Sequence, residues 1–409
     1  MSDLSYLNPF RPGAGHMPPY LAGRNVEQEE MRRLLHQAVI TENMVLTGLR
    51  GVGKTVLLEK LKPLAIQCGW LWANADLSES VSVTEETLAT RILTDMALCA
   101  APLLVREEKQ FAFGFTSEER VIRQPLNFGV LKQYYDRVPG LVADKLKAVL
   151  EFVWDLLPKP VVKGVIFAYD EAQNMTDHAA RDQYPLSVLL EVFQSIQRKG
   201  IPFMLVMTGL PTLFPKLVEA RTYAERMFHI VFLKPLDEDA TKEAILKPVE
   251  DTKCPIKFSP EAVDTIWRLS RGYPHFIQFI CKEIFDIWLI KVANNEVPSI
   301  PYNEIILKLD TNFFSGRWAK ATDRQRDLLH VISLLDGCDT EFTVQEVVAE
   351  SKNAISKPFT ASHVNQMLAN LTDLGLIYKN RFGKYSLAVP LMSGFIKRQI
   401  LSEASFNVN

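Results

Sequence analysis

The stretch Gly48-Leu49-Arg50-Gly51-Val52-Gly53-Lys54-Thr55 carries the clearest chemistry in the chain. Its glycine spacing, closed by Lys-Thr, matches a phosphate-binding loop. Glycines in such a loop let backbone N–H groups turn inward around an anion, where side chains would block the approach. A helix beginning near Lys54 aims its positive dipole end at the same anion. The Lys54 ammonium is expected to reach β- and γ-phosphates, and the Thr55 hydroxyl to hold Mg²⁺. The expected phosphate-contacting set is therefore Gly48, Gly51, Val52, Gly53, Lys54, Thr55 and Val56.

A second feature lies at Gly164-Val-Ile-Phe-Ala-Tyr-Asp170-Glu171-Ala-Gln173, an apolar run ending in two carboxylates. Asp170 is expected to orient Mg²⁺ through water, and Glu171 to polarise an attacking water. Two readings stand for Thr208, at the end of the apolar run from Ile201. Its hydroxyl senses a γ-phosphate or the attacking water, or it simply closes a strand before the turn at Gly209-Leu210-Pro211. Arg221 and Arg226 precede another apolar run ending at Leu233. One of them, with Arg226 favoured, could neutralise charge on a neighbouring subunit's nucleotide. The alternative is a surface ion pair with Glu219 or Glu225.

The elements that must position these groups follow from the pattern. Apolar runs at 44–47, 69–76, 164–171, 201–209 and 227–233 predict strands, and runs ending in charge are tolerated where parallel strand tips face a ligand. Helices are expected at 27–39, with Met31, Leu34, Leu35 and Ala38 on one face and Asn25 as cap, at 84–98, at 141–157 and at 187–199. Residues 99–160 read as a linker plus a helix, with Phe111–Thr116 a strand or a hairpin arm. From Asp237 the pattern turns helical, broken at Arg271-Gly272-Tyr273-Pro274-His275, a turn placed where a nucleotide-contacting lid would lie. Residues 1–20, rich in Pro and Gly, read as an extended arm. Thr322, Thr343 and Thr360 cap three helices in the tail. A hairpin over 376–387 follows them, which is the winged helix–turn–helix plan.

Composition sets the bounds. A chain of 409 residues is long enough for two or three domains. Net charge is -2, with 47% hydrophobic and 23% charged residues, so no global basic excess points to nucleic acid. The five cysteines (Cys68, Cys99, Cys254, Cys281, Cys338) lack metal-type spacing and read as free thiols of a reducing cytoplasm. No signal peptide is expected, and the most apolar stretch, 201–214, is too short for a membrane span. The third tail helix (361–374) has no Lys or Arg, whereas the wing carries Lys379, Arg381 and Lys384. Phosphate contacts from the wing to double-stranded DNA, and docking of a protein partner, both remain open.

Leu21-Ala-Gly23-Arg24, the loop Gly48–Thr55, Asp170-Glu171-Ala-Gln173 and Arg271-Gly-Tyr-Pro-His275 together resemble AAA+/STAND-type P-loop ATPases, of the kind similar to Orc1/Cdc6 proteins. The resemblance covers most of residues 18–400 and excludes 99–160. It implies an α/β fold: a P-loop parallel-sheet ATPase domain, AAA+-like, with a helical lid and a C-terminal winged helix. The domains would be an arm (1–20), a nucleotide domain (21–235, with an insertion at about 99–160), a lid (236–300) and a winged helix (301–409). It further implies that Gly23 and Arg24 border the adenine and that Gly272 and Pro274 form the lid contact. His275 stands where a lid arginine would be expected, and Thr208 where many relatives carry Asn. Both departures favour a slow nucleotide switch over a processive motor. The expectation is a Mg²⁺-dependent ATP hydrolase, with ATP and Mg²⁺ as cofactors and a nucleotide-dependent homo-oligomer as assembly. ATP state would regulate assembly or DNA engagement, or, in a STAND-like interaction switch for defence or signalling, the docking of a protein.

Overall fold

The computed structural model describes residues 7–13, 15–100, 105–111, 119–159, 161–250, 256–381 and 383–406. The chain folds into two compact units, one formed by Arg24–Gly48 and Leu57–Phe232, the other by Met1–Gly23, Leu49–Val56 and Leu233–Asn409.

The first unit is built on β1 (Asn43–Thr47), β2 (Trp70–Asp76), β5 (Gly164–Asp170), β6 (Phe203–Gly209) and β7 (Phe228–Phe232), with β3 (Val105–Phe111) and β4 (Glu119–Pro125) as a separate antiparallel hairpin. The five strands form one parallel sheet in the order β2-β5-β6-β1-β7. β1, β5 and β6 are buried along their whole length, as expected of central strands covered on both faces. The covering helices are α1 (Asn25–Leu35), α2 (Lys54–Gln67), α3 (Glu85–Ala100), α4 (Phe128–Arg137), α5 (Val142–Leu156), α6 (Pro185–Arg198), α7 (Leu213–Ala220) and the short α8 (Ala224–Met227). Phe167 of β5 meets Phe193 of α6 edge to face at 5.0 Å, a favoured ring geometry that seats α6 on the sheet.

Three local expectations change. α1 stops at Leu35, and Ala38 is exposed. The Gln37 side chain ends the helix by donating to Leu34 O and accepting from Thr41 N and Glu42 N. Asn25 is the first helical residue rather than the cap; Arg24 occupies that position, without a side-chain cap bond. The segment from 99 to 160 is more regular than a linker plus helix, holding the β3–β4 hairpin, α4 and α5. Of the aromatic stretch Phe111–Thr116, residues 112–116 lie outside the described residues.

The second unit is largely helical: α9 (Glu238–Glu250), α10 (Pro260–Ser270), α11 (Pro274–Ala293), α12 (Tyr302–Leu309), a π-helical turn (Asp310–Ser315), α13 (Gly316–Trp318), α14 (Asp323–Leu334), α15 (Val344–Ala354), α16 (Ala361–Asp373) and α17 (Met392–Phe406). β8 (Ile377–Arg381) and β9 (Lys384–Leu387) form an antiparallel hairpin after α16. The Thr322, Thr343 and Thr360 hydroxyls each accept from a first-turn N–H of α14, α15 and α16, as their sequence positions demand. Phe342 pairs with Tyr385 through two backbone bonds of 2.8 and 2.9 Å, tying the segment before α15 to the hairpin. Three capped helices and a hairpin thus appear in the order of a winged helix–turn–helix.

Residues 7–13 of the proline-rich N-terminal stretch pack onto the helices of this unit. Phe10 is 3% exposed and sits edge-on to Phe258 and Phe285, with centroids 5.8 and 6.4 Å away. Burying such a ring contributes about 1.5–3 kcal/mol. Asn8 Nδ2 donates to Lys282 O and Asp286 Oδ1, and the Arg11 N–H donates to Gln278 Oε1.

Candidate functional site

The carboxyl edge of the parallel sheet collects the polar strand tips. In the order β5-β6-β1, Asp170 ends β5, Thr208 stands one residue from the end of β6, and β1 runs through Thr47 into Gly48. Asp170 is 4% exposed; its Oδ1 accepts from the backbone N–H of Glu171 at 2.8 Å and from the Thr208 hydroxyl. Thr208 is fully buried, so its hydroxyl holds Asp170 in this conformation.

Glu171 is exposed and left-handed, at φ 50°, a conformation that costs a non-glycine residue about 1–3 kcal/mol and turns the chain sharply off the strand tip. Its carboxylate accepts from Gln173 Nε2. Gln173 Oε1 in turn accepts the Leu210 N–H at 3.1 Å, and its carbonyl accepts Lys216 Nζ at 2.7 Å. Gln173 thereby ties Glu171 to the turn after β6. Sequence reading passed over that role, because only the fold brings residues 173 and 210 together.

Of the two arginines before β7, Arg221 lies 3.5 Å from Glu191 Oε2, so its ion pair is with α6 rather than with Glu219 or Glu225. Arg226 is exposed on α8, with no ion pair among the described residues. Arg24 is 5% exposed and bonded to Glu27 at 3.2 Å; burial pulls its pKa down and Glu27 opposes that.

In the other unit, the loop after Gly48 turns on Gly51 (φ 77°) and Gly53 (φ 94°), values that favour glycine, and α2 begins at Lys54. Lys54 is 8% exposed and its ammonium donates to Leu49 O at 3.1 Å. Val52 is buried, and Thr55 and Val56 are half-buried. The turn at 271–275 packs directly on this loop. The His275 N–H donates to Gly51 O at 3.1 Å, and a Cβ on Gly53 would lie 4.0 Å from Pro274 Cγ. Pro274 opens α11 at its first turn, where its missing N–H costs nothing. Gly23 lies against α9, its Cβ direction blocked by Ala240 at 2.7 Å.

Gly272 is the tightest point of the turn. It holds φ 73°, its carbonyl accepts the Leu236 N–H at 2.8 Å, and a Cβ would fall 2.1 Å from Leu236 O. Backbone cannot retreat as a flexible side chain can. Gly272→Ala is therefore expected to destabilise this unit by about 2–4 kcal/mol, read as a lower denaturation midpoint in urea. An unchanged midpoint would show that the turn opens freely.

With this geometry in place, likeness to known proteins can be weighed. Residues 311–396 match a family model described as a domain of unknown function (DUF8462). Among curated proteins, none matches the sequence. Among solved structures, the Walker-type ATPase PABY2304 of Pyrococcus abyssi is similar at 14% identity and a TM-score of 0.54, over 92% of this chain and 96% of that one. The ADP form of the ORC2 protein of Aeropyrum pernix is similar at 14% identity and a TM-score of 0.54, over 95% and 97%. This chain shares its overall fold, built on the five-stranded parallel sheet, with these two structures. No described helix is long and apolar enough to cross a membrane.

Proposed function

We propose that this chain is a Mg²⁺-dependent, ATP-binding ATPase that works as a slow nucleotide-controlled switch. The observation that carries the reading is the loop of Gly51 and Gly53 at positive φ leading into α2 at Lys54, a backbone shape suited to enclosing phosphate. Lys54 would neutralise the β- and γ-phosphates. Gly23 and Arg24 would border the base, and Gly272 and Pro274 would form the lid contact. Thr55 and Asp170 offer a hydroxyl and a carboxylate, the hard oxygen donors that Mg²⁺ prefers. When bound, that ion would supply charge neutralisation at the phosphates. Glu171 would take the proton of the attacking water, Thr208 would keep Asp170 oriented, and Arg226 would act in trans on a neighbouring copy's nucleotide.

The output end has two readings. A hairpin carrying an exposed Lys379 and a half-buried Lys384 supports phosphate contacts to double-stranded DNA. The absence of Lys and Arg from α16 favours docking of a protein partner instead. Light scattering with ADP, with a non-hydrolysable ATP analogue and with added DNA tests the switch. A mass that differs between the two nucleotides is the expected result; the same mass and no nucleotide uptake would overturn it. A low-salt shift assay then separates the outputs: no DNA binding in either nucleotide state leaves the protein partner.

A further inference from the structure

The N-terminal arm is anchored at two places and meets the phosphate loop between them. The first anchor begins with a local turn. Asn8 Oδ1 accepts the Phe10 N–H at 2.9 Å, and Pro9 stiffens the turn that this bond closes. The turn presents the Phe10 ring to Phe258 and Phe285, while Asn8 Nδ2 donates to Lys282 O at 3.0 Å and to Asp286 Oδ1 at 2.7 Å. The Arg11 N–H adds a bond to Gln278 Oε1 at 3.1 Å. The second anchor is on α9. There the Tyr20 hydroxyl donates to Glu243 Oε2 at 3.2 Å, and Gly23 closes on Ala240.

Between these anchors the chain bends back, with the His16 N–H donating to Gly13 O at 3.3 Å. Gly15, at φ 69°, lies against the phosphate loop: a Cβ built on it would fall 3.4 Å from Thr55 Cγ2. Glycine suits both the positive φ and the close approach. Thr55 is the loop residue proposed to hold Mg²⁺, so the arm meets the loop at its functional end. Gly13, Gly15, His16 and Met17 are exposed, whereas Phe10 is 3% exposed. The crossing is therefore held down by the anchors on either side of it rather than by its own burial. Lifting it is opposed mainly by the return of the Phe10 ring to water.

We infer that the arm is a strap over the nucleotide site, and that its release, set by the Phe10 anchor, gates both entry and exit of nucleotide. This rests on the phosphate-loop reading above and adds regulation to it. Phe10 is a positioning residue here: it acts through Gly15 and touches no phosphate. A strap that must lift before nucleotide passes in either direction scales both rate constants with the lifted fraction. It leaves their ratio, the affinity, unchanged, because a ligand indifferent to the two states shifts neither.

The test is stopped-flow mixing of fluorescent ADP with the full chain in Mg²⁺, followed by displacement with excess unlabelled ADP. Phe10→Ala is expected to raise the association and dissociation rate constants together by about tenfold, from the lost burial of one ring, with affinity within about threefold of native. Phe10→Leu should restore most of the slow exchange, because an apolar side chain again fills the pocket. Asn8→Ala removes anchor bonds without opening a core cavity. It should raise both rate constants about threefold, and it carries the test if Phe10→Ala does not fold. Unchanged rate constants in the folded variants would overturn the strap. Faster release without faster association would also overturn it, because the arm would then only support the site. If the native chain takes up no fluorescent ADP, the phosphate-loop reading itself fails, and the strap with it.

Discussion

Replacing Glu171 by glutamine is expected to leave ATP binding intact and to slow hydrolysis by about 10²- to 10⁴-fold, the range lost with a general base. Glutamine has the same shape, so the left-handed backbone at φ 50° and the bond from the Glu171 N–H to Asp170 Oδ1 should survive. What disappears is a group able to take a proton from water. The carboxylate also accepts from Gln173 Nε2, so in this conformation it is held by an amide. That bond engages Oε2 alone, which leaves the other carboxylate oxygen to serve as the proposed base. Phosphate release under saturating ATP, paired with binding of a non-hydrolysable analogue, separates the two effects. Turnover at the native rate in Glu171→Gln would remove Glu171 from the reaction.

Lys54→Ala is expected to weaken both ATP and ADP by about ten- to a hundredfold, measured by calorimetric titration. A charge-assisted hydrogen bond contributes about 1.5–3 kcal/mol, and each 1.4 kcal/mol is a factor of ten in affinity. The Lys54 side chain is largely buried and its ammonium donates to Leu49 O, within the loop it would serve. The variant therefore loses two things: the cation that meets the phosphates and one bond that shapes the loop. The fold should persist, because the loop's turn depends on Gly51 and Gly53 and on the His275 N–H to Gly51 O bond. A circular dichroism spectrum like that of the native chain, together with lost binding, is the expected combination. Affinity within threefold of native would exclude the loop as the nucleotide site.

Much of the fold was legible from local pattern. The five parallel strands appear close to where apolar runs predicted them, and the capping threonines mark α14, α15 and α16 to the residue. These signals are short-range. A strand's burial or a helix cap depends on residues within one or two turns of chain. Within 99–160, α4 was missed, and a strand or hairpin arm was expected only at Phe111–Thr116, because β3 and β4 carry Arg, Glu, Lys and Gln through most of their length and show no apolar run.

By itself, the amino-acid sequence determined that the chain carries a glycine-rich loop closed by Lys-Thr at 48–55, an acidic strand tip at Asp170-Glu171, and a helical tail with a hairpin. Only the tertiary structure decided which groups meet. Asp170 is held by Thr208 from the neighbouring strand, and Gln173 ties Glu171 to Leu210. The loop carbonyl at Gly51 meets His275, and the arm's Phe10 enters an aromatic core instead of lying in solvent. The reason is physical. Motif spacing is a property of neighbouring residues, whereas strand order and long-range hydrogen bonds arise from the joint burial of distant segments, which no local window contains.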